Sequence, residues 1–113
     1  MIKLFRAWDG QEYWYANKDL IFLSGGKYCN LVEAPFDLSA VEQFTGKIDY
    51  NKVQIFENDL LVNNFQDSNK IFQVIWSPND CGFRKVLFGQ NGAITPIDEA
   101  FMEVIGTIHS HKS

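Results

Sequence analysis

The sequence predicts a mainly β, antiparallel fold, a small barrel or sandwich with at most short helical turns. Short runs rich in β-branched and aromatic residues recur along the chain. Gly, Asn and Asp clusters separate them at hairpin spacing. Composition agrees: hydrophobic residues are 46% of the 113, aromatics 15%, with 10 Phe, 3 Trp and 4 Tyr. A chain of this length buries roughly two thirds of its unfolded surface, so it can build a core without metals or disulfides. Charged residues at 21% argue against disorder.

The elements follow in order. Ile2 to Trp8 reads as a strand, Asp9-Gly10 as a hairpin turn, and Tyr13-Trp14-Tyr15 as the returning strand. Leu20 to Leu23 and Tyr28 to Val32 flank Ser24-Gly25-Gly26, where glycine supplies the positive φ of a tight turn. Pro35 marks a soft boundary between a hairpin-rich part, 1–35, and a barrel-like part, 36–113, of one domain. Asp37 or Ser39 could cap a short helix. The alternation of Phe36, Leu38 and Ala40 favours a brief strand instead.

Phe44 to Val62 is the densest segment. Thr45-Gly46 and Asp49-Tyr50-Asn51 read as breaks, Val53 to Phe56 as a strand, Glu57-Asn58-Asp59 as a turn and Leu60 to Val62 as a strand. Strands are expected again at Ile71 to Trp76, Phe83 to Phe88 and Met102 to His109. One helical turn is expected at Asp98 to Phe101.

Net charge is -4, and the 10 basic residues are scattered. That argues against binding phosphate backbones, which takes clustered Lys and Arg. The N-terminus has no sustained apolar run, so a signal peptide is not expected. No stretch reaches the roughly 18 apolar residues of a membrane helix. Cys29 and Cys81 lack metal or redox spacing. They read as two free thiols, with a single disulfide or a reactive thiol as alternatives.

Arg6-Ala7-Trp8-Asp9 offers a cation, an aromatic face and an anion. On a strand, Arg6 and Trp8 share a face. With Asp9 and Trp14 they form either a ligand or partner platform or a buried anchor. Asn58 suits a left-handed turn position, which Asn tolerates better than most residues. Glu57 and Asp59 could act as an acid–base pair or hold a cation. The competing reading makes Asp59 a cap on backbone N–H groups. Gly46, Asp49 and Asn51 read as turn residues in the same way. His109-Ser110-His111 offers two ligands, too few for a structural metal site. No nucleophile pairs with a His and an acid, and no phosphate-binding glycine motif is present. No cofactor, metal or catalytic residue is expected.

Phe5 to Asp9 resembles the FRAWD opening of the YopX family of phage and prophage proteins. Gln43-Phe44-Thr45-Gly46, followed by Asp49, Asn51, Ile55-Phe56-Glu57 and Asp59, resembles that family's central pattern. Val74-Ile75-Trp76, Gly82-Phe83-Arg84 and Glu103 to Ile108 resemble its later strands. The resemblance runs in order over nearly the whole chain. Where the family has an Asn-Gly turn this chain has Asn51-Lys52, and a Lys in a left-handed conformation costs about 1 kcal/mol.

The resemblance implies a small barrel-like, SH3-like fold and a protein of phage origin in a bacterial cytoplasm. It supplies no catalytic residues. A non-enzymatic binding or assembly module is expected, self-associating, with a phage or host protein as a further partner. A host-directed inhibitor that mimics nucleic acid or sequesters a nucleotide is the alternative. A nucleic-acid-binding barrel comes next, disfavoured by charge, and a hydrolase using Glu57 and Asp59 last.

Overall fold

Ten short strands and two single 3-10 turns make up the described secondary structure. The computed structural model describes residues 3–17, 21–30, 32–65, 70–89 and 92–110. Among them no helix is long and apolar enough to cross a membrane. The chain divides into two compact units, Met1–Phe44 and Thr45–Ser113.

In unit 1, β1 (Phe5–Trp8) and β2 (Tyr13–Ala16) form an antiparallel hairpin with Trp8 opposite Tyr13. The connection is a four-residue loop rather than a two-residue turn on Asp9-Gly10. The Asp9 carboxylate accepts from the N–H groups of Gln11 and Glu12, and Gly10 has φ +106°. β3 (Phe22–Ser24) and β4 (Lys27–Cys29) are joined by Gly25-Gly26, both at positive φ, as a two-residue hairpin demands. The strand order is β4-β3-β2-β1-β5, where β5 is Val41–Ile48. One sheet face packs Ala7, Trp14, Ala16, Phe22 and Cys29 under Ala34, Phe36 and Val41. Both cysteines are free thiols. Burial pushes the Cys29 thiol up, aided by the nearby Glu33 charge.

β5 (Val41–Ile48) crosses between the units. The strand expected from Phe36 does not form. Ser39 N–H donates to the Asp37 carboxylate and Ala40 N–H to the Asp37 carbonyl, so the chain coils into the 3-10 turn Leu38–Ala40 first. Such local bonds compete with the ladder. Thr45-Gly46 does not break the strand. Gly46 takes φ +86° inside it, Thr45 Oγ1 donates to the Ile55 carbonyl, and Lys47 N–H donates to Thr45 Oγ1. Glycine here absorbs an irregularity within a strand rather than ending it.

In unit 2 the second half of β5 adjoins β6 (Gln54–Phe56). A four-stranded antiparallel sheet follows in the order β10-β7-β8-β9, from β7 (Asp59–Asn63), β8 (Phe72–Ser77), β9 (Gly82–Leu87) and β10 (Met102–Thr107). The second 3-10 turn, Glu99–Phe101, leads into β10. Ile55, Leu61, Val74, Ile97 and Met102 fill this core. The expected mainly β, antiparallel fold is present as two sheets, which are not closed into a barrel, so the barrel-like, SH3-like detail gains no support. Closing the four-stranded sheet would need β10 to reach β9. Thr95 already exchanges both backbone bonds with Lys85 on β9, at 2.9 and 3.0 Å.

Candidate functional site

A groove of about 540 Å³ lies in unit 1. Its origin is a matter of register. Among the described residues, β2 and β3 pair at Tyr15 and Leu23. By strand alternation, Tyr13, Tyr15, Asn17, Ile21, Leu23 and Gly25 then share one face. All six line the groove. Gly25 stands across from Tyr13 and contributes no side chain; a Cβ there would meet only the Glu12 carboxylate, at 3.9 Å. Lys3 Nζ lies 4.2 Å from the Tyr15 ring centroid, and the Tyr13 and Tyr15 rings are 6.1 Å apart. Ser24 Oγ donates to Glu12 at one end. The groove thus joins two aromatic rings, one cation, a hydroxyl–carboxylate pair and an aliphatic wall.

The residues expected at a ligand platform divide between the two sheet faces. Arg6 lies beside the groove but is buried. Its Nε donates to Glu42 at 2.7 Å, and its guanidinium sits 4.4 Å from the Tyr13 ring. Trp8 packs edge-on to Tyr13. Trp14 pairs with Ala7 and belongs to the core on the opposite face, so it cannot join Arg6 and Trp8 in one pocket. Period-two alternation separates them. Lys3, Leu23 and Gly25 carried no functional signal in the sequence. The register of Leu23 with Tyr15 was the missing information.

Asp9 serves the loop. It accepts from Trp14 Nε1 at 2.8 Å and from two backbone N–H groups. The indole bond first, then the Glu12 and Gln11 amides, hold its carboxyl below the ordinary 3.8. A depressed folded value means that the stabilisation is complete above 3.8 and is lost as pH falls through the folded value. The Trp14 indole N–H resonance should therefore move on acidification below 3.8. Asp9→Asn should abolish that movement. An indole resonance indifferent to acid in the wild type would contradict the linkage.

The polar residues of unit 2 are tied to backbone. Asp49 is buried; Oδ1 accepts from Asn51 and Val53 N–H, and Oδ2 from Val104 N–H at 2.9 Å. Asn51 is an exposed turn residue. Lys52 and Asn58 adopt φ +69° and +67°. Asn58 ties its turn to β8 and to the residue after β10: its N–H donates to Val74, its Oδ1 accepts from Gln73, and its carbonyl accepts from Ile108. Asp59 is buried and accepts from Phe56 N–H at 2.7 Å, while Glu57 is half-buried in the same turn. This geometry favours the backbone-capping reading of Asp59 over an acid–base pair.

Among the described residues no three His, Cys, Asp or Glu gather as metal ligands. His109 is exposed, and His111 lies outside the described residues.

No curated protein matches the chain. The family model described as YopX protein matches residues 4–112. That span takes in both units, from the first strand to the turn after the last, and the chain therefore belongs to the YopX family.

Proposed function

We propose that the chain is a non-enzymatic phage or prophage accessory protein, a binding or assembly module acting in the bacterial cytoplasm. The observation that carries this reading is the groove on one face of the unit 1 sheet. One face of its sheet is closed by core, while the other holds the groove of Lys3, Tyr13, Tyr15 and Leu23. Such a groove suits a flat ring bearing an anion. The tyrosines offer ring faces and Lys3 a charge. The overall charge of -4 favours a small ligand over a nucleic-acid strand.

Nucleoside monophosphates are the probes. Titration should shift the amide resonances of Tyr15 and Leu23 and raise the melting temperature. Tyr15→Ala should lose both effects. No shift at millimolar probe would sink the groove as a ring-binding site.

Self-association is the second component. Tyr28 favours it, standing 75% exposed on β4, the outer strand of its sheet. Large exposed aromatics beside an open strand edge mark interaction surfaces.

A further inference from the structure

We infer that two copies of this chain join edge to edge through β4, with Tyr28 of one paired to Tyr28 of the other across a two-fold axis. The inference rests on the self-association reading and names its interface.

The hairpin geometry sets the register. Ser24 and Lys27 flank a two-residue turn, so they form the hydrogen-bonded pair next to it. Pairs alternate along an antiparallel ladder. Leu23 and Tyr28 are therefore a non-hydrogen-bonded pair, and the Tyr28 N–H and C=O point away from β3. β4 ends the sheet order, and among the described residues no turn or loop bond engages Tyr28. The open edge thus presents a donor and an acceptor on one residue.

That arrangement is self-complementary. A two-fold axis beside Tyr28 lets two identical residues exchange both bonds, as in any hydrogen-bonded antiparallel pair. Side chains agree with the backbone. Leu23 is 57% exposed and lies beside Tyr28 on the same face. Pairing would align Leu23, Tyr28, Tyr28 and Leu23 in one apolar row. Lys27 projects from the other face and would meet Cys29 of the second copy, so the two lysines do not oppose each other. Asn30 ends the strand by accepting from the N–H groups of Val32 and Glu33. The contact is therefore short and suits weak, concentration-dependent association.

Light scattering of the full chain across micromolar concentrations tests this. The wild type should rise from monomer to dimer, and Tyr28→Phe should follow it. Tyr28→Pro removes the outward N–H without touching a hairpin bond, and it should remain monomeric with an unchanged circular dichroism spectrum. If that variant fails to fold, Tyr28→Lys, which sets like charges face to face, should be monomeric in its place. A dimeric wild type whose folded Tyr28 variants still dimerise would overturn this interface and leave self-association standing. A monomeric wild type would overturn both.

Discussion

Glu42→Ala is expected to lower the unfolding free energy by about 3–5 kcal/mol, the cost of leaving a buried charge without its partner. The Arg6 and Glu42 side chains are only 5% and 4% exposed, with Nε 2.7 Å from Oε1. In that setting the ion pair offsets the desolvation of both groups. Removing either member takes this ion pair from the other while it stays buried. Arg6→Ala should cost a similar amount, and it also removes the guanidinium stacked on Tyr13. Arg6→Lys should not rescue, because an ammonium cannot both donate from the Nε position and lie flat on the ring.

The double replacement Arg6→Met with Glu42→Leu should recover most of the loss, since buried pairs replaced by apolar side chains of similar size are often neutral or better. Urea unfolding of the wild type, Arg6→Met, Glu42→Leu and the double variant closes the cycle and gives the coupling energy. Single variants within about 1 kcal/mol of the wild type would show that water reaches the pair, as it does at a protein surface. The outcome also bears on function. A pair that large in its effect on folding makes Arg6 an anchor for the sheet beside the groove rather than a ligand-binding group.

The parts of this structure legible in the sequence are those set by a residue's own backbone. Gly25-Gly26 needs positive φ for a two-residue hairpin, and the pair says so wherever it stands between strand-like runs. Asn58 in the left-handed region is the same kind of signal. Gly46 shows the limit. Its positive φ is real, yet it lies inside β5 because Thr45 Oγ1 bonds Ile55 across the irregularity. A glycine that ends a strand and one that bends it look alike until the partner strand is known.

The Phe36, Leu38, Ala40 alternation misled for a local reason, since the Asp37 carboxylate captures Ser39 N–H and turns the chain. Long-range pairing was beyond reading. Arg6 and Glu42 are 36 residues apart, and Asp49 and Val104 are 55 apart. The groove depends on a single register pair, Tyr15 with Leu23. Alternation puts Tyr13 and Tyr15 on one face of a strand, but nothing in the sequence sets Leu23 opposite Tyr15.

Asp49 follows from the same logic and carries the second large effect. Its carboxylate is the acceptor for three backbone N–H groups, two in the turn it opens and one on β10. Asp49 N–H also donates to the Val53 carbonyl at 2.8 Å, and Tyr50 N–H reaches Met102. One side chain therefore closes the turn and fixes the last strand against it.

Asp49→Ala would strand those donors in a buried place, at about 1–3 kcal/mol for each that water cannot reach. A total loss of about 3 kcal/mol is expected, because the two turn amides can recover solvent while Val104 N–H cannot readily do so. Asp49→Asn should fall between the alanine variant and the wild type. Its single carbonyl oxygen can serve the turn or β10, and its amide then faces an N–H donor with a donor of its own.

Amide hydrogen exchange separates the two roles. In Asp49→Asn, loss of protection at Val104 with the turn intact would mean that the oxygen stays with Asn51 and Val53. The exposed Asn51→Ala change should stay within about 0.5 kcal/mol, as surface substitutions away from such features do. Equal losses for Asp49→Ala and Asn51→Ala would show that turn propensity, not the link to β10, is what the segment contributes.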